Sequence, residues 1–438
     1  MAAAEARAFR ASILHFRDDP GSGSSPDSYE HLEDGLLVVE DGRVARVGPA
    51  KDLLATLPRD LEVVDRRGKL ILPGFIDTHI HYSQTDVIAS AGHNVLHWLE
   101  QYTFPEEARF ASRAHAAEVA EFFLDELARN GTTTALVFGT VHRNSAEAFF
   151  EAAARRRLRM GAGQVMMDRH CPEGLRDTPE SARRDAWELA ERWDGHERLH
   201  YAITPRFAIT SSPEQLRIAG ELARAHPKAF VHTHLAEHRE EVDSACSLFP
   251  DCRSYLDVYD HFGLLRNRAV FAHCLHLDGE DRRRMAESGA AAAFCPTSNL
   301  FLGSGLFDIA AADAAGMRFA IATDVGGGTS FSILKTLAEA YKVAQLQDQR
   351  LTALRGFYLA TLGGARALDL ADRIGSFAAG READFIVLDP EATPLLGRRL
   401  HAARTLEERL FAWMILGDER AVAECYVLGR LATPKAVS

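Results

Sequence analysis

Apolar positions change their spacing twice along the chain. Over the first seventy or so residues they fall in short runs, many of them alternating, at residues 10–16, 35–40, 43–47 and 62–65. Asp41-Gly42 separates two of these runs and has the composition of a tight hairpin turn. Residues 18–28, DDPGSGSSPDS, read as a flexible surface loop. The same style returns at the other end, where residues 383–388 (ADFIVL) and 421–428 (AVAECYVL) read as strands punctuated by Gly375, Gly380 and Gly429. Between the two ends lie eight short apolar or β-branched runs, at residues 70–77, 132–138, 161–167, 200–203, 230–234, 270–273, 291–294 and 319–323. Most are separated by Ala/Glu/Arg/Leu-rich stretches of helical period. The clearest spans residues 111–129 and stops at Asn130-Gly131.

Eight strand–helix units over about 260 residues fit a closed (β/α)8 barrel of the TIM type. An open doubly wound sheet is the alternative, but no Gly-x-Gly-x-x-Gly follows the first strand. The expectation is therefore an α/β protein: a barrel over residues 71–370, and a small β-sandwich domain built from both chain termini, residues 1–70 and 371–438. Composition agrees with an ordinary globular protein, 438 residues with 47% apolar and 26% charged. Fifty basic and 62 acidic side chains give a net charge of −12, with no Lys/Arg-rich run. That balance argues against nucleic acid or an anionic membrane surface as a partner. No run approaches the roughly 18 apolar residues of a membrane span. The N-terminus is Ala/Arg-rich but lacks an apolar segment followed by a small-residue cleavage site. Six cysteines with no C-x-x-C pair read as reduced thiols in the cytoplasm.

The chemistry-bearing residues gather at the ends of the expected strands. The first barrel strand closes in PGFIDTHIH, where His79 and His81, two apart, share one face. The fifth closes in FVHTHLAEH, offering His232, His234, His238 and Glu237; His232 and His234 also share a face, so spacing does not choose between them. The sixth gives FAHCLH, with His273 and His276, and the eighth gives IATDVGGGTS, with Asp324 ahead of a glycine-rich turn. That turn lacks the Lys of a phosphate loop. A single histidine at a strand end is more often structural than a ligand. Histidines at strands one, five and six, and an aspartate at strand eight, all at the C-terminal face of one barrel, predict a divalent metal site.

These motifs together, PGFIDTHIH, HTHLAEH, FAHCLH and ATDVGGG, resemble the amidohydrolase superfamily of metal-dependent barrels, and GSFAAGREADFIVLD resembles that family's return into its terminal β-sandwich. Two-metal members usually carry a carbamylated Lys at the end of strand four; HYAITPRFAIT has none, which favours a single metal. The segments SQTDVIASAGHNVLHWLEQYTFPEE, TPRFAIT and TDVGGGTSFSILKTLAEAYKV are similar to the guanine-deaminating branch of the superfamily. The resemblance implies one Zn2+ (Fe2+ being compatible with the same donors) on His79, His81, His234 and Asp324. It implies Glu237 as proton shuttle, Asp324 as acceptor of the water proton, and His273 at the reacting centre. Gln84, Arg206 and Phe207 would hold the base, and the active form would be a cytoplasmic homodimer. The expected reaction is hydrolysis of guanine to xanthine and ammonia; a pterin, triazine or adenosine-like ring is the alternative substrate. The H-x-E and P-C-x-x-C deaminase design is ruled out because no P-C-x-x-C occurs.

Overall fold

A computed structural model describes residues 6–92 and 95–433. Met1–Glu5 and residues 434–438 of the expected terminal segments lie outside the described residues, as do His93 and Asn94 of the SQTD segment. Among the described residues sixteen strands form two sheets. The first four, β1 (Ala6–Phe16), β2 (Tyr29–Glu40), β3 (Arg43–Pro49) and β4 (Glu62–Pro73), contain the four expected runs and extend beyond them, and Asp41 and Gly42 turn β2 into β3 with φ of 49° and 76°. Nine strands follow: β5 (Phe75–His81), β6 (Thr132–Phe138), β7 (Arg159–Gly163), β8 (Val165–Met166), β9 (His200–Pro205), β10 (Phe230–Leu235), β11 (Ala269–His273), β12 (Ala291–Phe294) and β13 (Arg318–Ile321). The last three are β14 (Phe385–Leu388), β15 (Val422–Val427) and β16 (Arg430–Leu431).

Both termini share one sheet in the order β16-β15-β14-β4-β1-β2-β3, with β1 parallel to β4 and its other pairs antiparallel. One face carries its own core, in which Phe9, Ile13, Leu37, Ile71, Phe385 and Tyr426 are buried. The register of β1 breaks between Ala11 and Ile13, as at a bulge. The opposite face (Leu14, Phe16, Leu70, Leu72, Ile386, Leu388) joins the apolar core of the barrel.

The second sheet runs β13-β12-β11-β10-β9-β7-β6-β5, all parallel, with β8 beside β9. It closes where β13 ends against β5: Asp324 N–H donates to His79 O (3.0 Å) and His81 N–H to Val325 O (2.8 Å). The helix Arg113–Arg129 illustrates the outer layer. Ser112 caps it by accepting from His115 N–H, Ala116, Val119, Ala120, Phe123, Leu124 and Leu127 face inward, and Gly131 at φ 78° follows its end. Among the described residues no helix is long and apolar enough to cross a membrane.

Two expectations are corrected. Residues 70–77 are not one strand. Leu70–Pro73 completes β4 in the terminal sheet, and the barrel begins at Phe75. The crossing point is Gly74, where a Cβ would stand 2.1 Å from Thr133 Oγ1, so only glycine passes. The DDPGSGSSPDS segment is tied down: Asp18 pairs with Arg366 at 2.5 Å, Asp19 with Arg355 at 3.4 Å, and Ser24 donates to Glu407 at 3.2 Å.

Candidate active site

Every strand-end residue singled out for the metal is brought to one place. Side chains at i and i+2 of β5 point into the barrel, so His79 Nε2 and His81 Nε2 lie 3.1 Å apart. His234, from β10, brings its Nε2 to 3.3 Å from that of His81. Asp324 Oδ1 lies 3.1 Å from His79 Nε2 and 3.5 Å from His81 Nε2. Four donors on one ion with bonds of about 2.0–2.1 Å in a tetrahedron stand roughly 3.4 Å apart. The donor set fits a zinc-sized cation.

The choice that spacing leaves open is made by depth. His232 sits one inward position below His234, and its Nε2 meets His79 Nδ1 at 2.7 Å. It therefore orients a candidate ligand. His234 Nδ1 donates to Arg206 O at 2.7 Å, which fixes the tautomer with the Nε2 lone pair toward the cluster. Burial and the neighbouring positive groups hold His79, His81 and His234 well below the ordinary histidine value, so all three are neutral, as metal ligands must be. Below them Asp77 accepts from Thr323 N–H (3.1 Å), the Thr323 hydroxyl and His79 N–H (3.2 Å), bracing the first strand against the eighth. Burial pushes its carboxyl up to about 7. Asp324 stands at φ 51°, and the glycines after it are required by contact: a Cβ on Gly328 would lie 1.8 Å from Thr323 O.

Beside the donors stand the acid–base groups. Glu237 Oε2 is 3.6 Å from His273 Nε2, and His273 Nε2 is 3.9 Å from Asp324 Oδ2. Burial, then the charge of Asp324, push the Glu237 carboxyl up to about 8, while the Ser304 hydroxyl donates to its Oε1 at 2.9 Å. Burial also raises Asp324. His276 and His238 take other work: His276 Nε2 bonds Ser304 O at 3.1 Å, and His238 caps the helix Arg239–Leu248.

A cavity of about 270 Å³ opens over this cluster, bordered by Trp98, Leu99, Phe104, Arg206, Phe207 and Leu302 among others. Gln84, Arg206 and Phe207 all line it. Gln84 is more occupied than its residue type suggests. Its amide nitrogen reaches Glu107 Oε1 (3.1 Å) and His81 Nδ1 (3.0 Å), and its oxygen accepts from Gly326 N–H (3.2 Å). Glu107 and Ser304 are functional neighbours that sequence reasoning missed. The EE pair after TFP was the one signal for Glu107, and nothing separates the second glutamate from a surface residue until the fold buries it completely.

The amidohydrolase family model matches residues 70–432. The guanine deaminase of Escherichia coli (strain K12) is 50% identical over 400 residues, 91% of each chain. A solved structure of E. coli guanine deaminase superposes with a TM-score of 0.95 at 48% identity, covering 97% of this chain and 99% of that one. The guanine deaminase of C. acetobutylicum, solved with guanine bound in its active site, gives 0.87 at 28% identity and covers 98% and 100%. A barrel whose strand ends bring His79, His81 and His234 together, with Asp324 beside the first two, matched by a family model over most of its length, leaves one assignment: the chain belongs to the amidohydrolase family.

Proposed function

We propose that this protein hydrolyses guanine to xanthine and ammonia. What carries the reading is a juxtaposition: four metal-type donors, a buried carboxyl and a guanidinium border one cavity sized for a small ring. The 50% identity to a guanine deaminase over most of the chain supports the same substrate. His79, His81, His234 and Asp324 would hold one Zn2+, Fe2+ being compatible with the same nitrogen and oxygen donors. When bound, the metal lowers the pKa of a water from 15.7 toward about 7 and so makes hydroxide available near neutrality.

The chain's own groups then govern protons and position. Asp324 Oδ2 is the acceptor for the water proton as oxygen adds to the carbon bearing the exocyclic amine. Glu237, held protonated by burial, gives its proton to the adjacent ring nitrogen, takes up the water proton from Asp324 and passes it to the departing amine, which leaves as ammonia; the proton of the adduct's hydroxyl then returns to Glu237 by way of Asp324 as the new carbonyl forms. The His273 side chain, between the two carboxyls, donates to the oxygen of the tetrahedral adduct. Arg206 and Gln84 fix the base edge-on, and Phe207 packs on the ring. The same reading makes the protein a cytoplasmic homodimer, with support for the compartment in six cysteines that stand free in the structure.

The test is ammonia release from metal-loaded protein given guanine, with adenine, cytosine, a pterin and a chlorotriazine alongside. Turnover of guanine alone, lost on chelation and restored by Zn2+, is the expected result. Chelator-sensitive turnover of another ring with guanine untouched would overturn the substrate.

A further inference from the structure

We infer that Glu107 is a positioning residue that sets base selectivity, acting through Arg206 and Gln84 without touching the substrate. The inference rests on the guanine reading above. Glu107 lies in the short helix Phe104–Ala108, and its side chain is fully buried behind the cavity wall, whereas Arg206 and Gln84 border the cavity itself. Both Glu107 oxygens accept from Arg206 Nη1, at 3.0 and 2.8 Å, and Oε1 also accepts from Gln84 Nε2 at 3.1 Å. One carboxylate thus joins two groups that follow the ends of different barrel strands, β5 and β9.

Three consequences follow from that geometry. Arg206 Nη1 is spent on Glu107, so the rest of the guanidinium, which has no partner among the described residues, is what remains to donate toward a ligand. The face of the Phe104 ring, 5.4 Å from the guanidinium carbon, holds the plane of that fork. Gln84 gives one N–H to Glu107, its nitrogen lies 3.0 Å from His81 Nδ1, which carries the ring proton when Nε2 faces the metal donors, and its oxygen keeps a single free lone pair beyond the bond from Gly326. The cavity wall therefore presents a donor from Arg206 beside an acceptor from Gln84. That pair complements a lactam edge, a carbonyl oxygen next to a ring N–H, and it mismatches a ring carrying neither. The Glu107 charge also offsets the guanidinium, leaving the wall suited to a neutral base.

The experiment compares guanine with 2-aminopurine, which keeps the reacting 2-amine and lacks the lactam edge, in the metal-loaded wild type, Glu107→Gln and Glu107→Asp. In Glu107→Gln an amide replaces the carboxylate, so a donor faces either Arg206 or Gln84. We expect kcat/KM on guanine to fall about 10²-fold, chiefly through KM, with 2-aminopurine changed by less than about threefold, so that selectivity collapses. Glu107→Asp, which keeps the charge one methylene short, is expected to fall between the two. Loss of both substrates in equal proportion, at unchanged metal content, would mean a merely structural role and overturn the inference; so would unchanged selectivity. If Glu107→Gln does not fold, the selectivity of Glu107→Asp decides by the same ratio. A wild type that releases no ammonia from guanine overturns the functional reading, and the inference with it; an active wild type with an indifferent Glu107 overturns the inference alone.

Discussion

The two ends of the barrel bury charge in opposite ways. At the N-terminal end, beside the terminal sheet, Arg159 opens β7 and Arg198 precedes β9, and both reach the loop before β14. Arg159 Nε donates to Glu382 Oε2 at 2.8 Å, Arg198 Nε to the same oxygen at 3.0 Å, and Arg198 also pairs with Asp384. Two cations meet two anions, all nine-tenths or more buried, and nothing further is needed. At the C-terminal mouth, by contrast, the Glu237 and Asp324 carboxyls stand among four histidine rings and, among the described residues, form no ion pair with Lys or Arg, and both are raised by burial. The base is held by ion pairs that tie sheet to barrel; the mouth holds its two carboxyls and its histidines without such pairs. Groups in the first kind of cluster act on stability, groups in the second on chemistry.

Exchanging the two clusters in experiment gives the largest effects. Glu237→Gln removes the proton shuttle while keeping shape, and kcat is expected to fall about 10²–10⁴-fold with no loss of melting temperature. Glu382→Ala leaves two buried guanidinium groups facing an empty position. It is expected to cost about 3–5 kcal/mol in denaturant unfolding, with kcat per folded molecule unchanged. A Glu382→Ala protein of normal stability but low kcat would erase the distinction.

Metal removal is next in size. Chelation is expected to abolish turnover and to lower stability by RT ln(1 + [L]/Kd), about 4 kcal/mol at a thousandfold excess over Kd. The deficit of Glu382→Ala should be the same with and without metal, because the two clusters share no partner. Unequal deficits, read from paired melts, would show that the ends are coupled.

The two clusters also answer pH with opposite sign. Burial alone would raise the Glu382 carboxyl, but hydrogen bonds and charges from Arg159 and Arg198 hold it below the ordinary glutamate value. A depressed carboxyl stabilises above its unfolded pKa, and that stabilisation is lost as pH falls through the folded value, on the acid side of about 4.5. Glu237 is raised to about 8, so the folded, metal-free protein holds a proton that the unfolded chain has released. Stability then declines as pH rises from about 4.5 to 8, by up to about 1.4 kcal/mol per pH unit. Metal-free Glu237→Gln should gain on the wild type across that window and match it at pH 4. A constant difference at all pH values would contradict the assignment of the proton to Glu237.

The mouth was more legible in sequence than the base. His79, His81, His234, His273 and Asp324 each stand at or just beyond a strand end, where period-two alternation and β/α order are enough to place them on one face. Glu382 and Asp384 lie in the GREADF segment, which shows a return to the sheet but not the arginines it meets, because Arg159 and Arg198 carry no pattern of their own. The break at Gly74 was hidden for a different reason. Leu70 through Ile76 is one apolar stretch apart from its Pro-Gly, and the change of sheet happens inside it, with no change of polarity to mark it. His232 and His234 show the limit of alternation, which gives the face of a side chain but not its depth along the barrel.

The smallest effect tests how finely the mouth is tuned. Ser304 donates to Glu237 Oε1 at 2.9 Å, the side of the carboxyl turned away from His273, whose Nε2 lies nearest Oε2. That bond lowers the carboxyl against the upward pull of burial and of Asp324. It also holds the carboxyl plane, leaving Oε2 to carry the proton toward the substrate. Ser304→Ala removes one hydrogen bond, worth about 0.5–1.5 kcal/mol, so kcat is expected to fall by no more than about tenfold. Because the bond favours the ionised form, its loss moves the basic limb of the pH–rate profile upward, by less than about one unit. A limb that moves down would mean that Ser304 acts on the neutral acid, and a limb that stays in place would mean that a group other than Glu237 sets it.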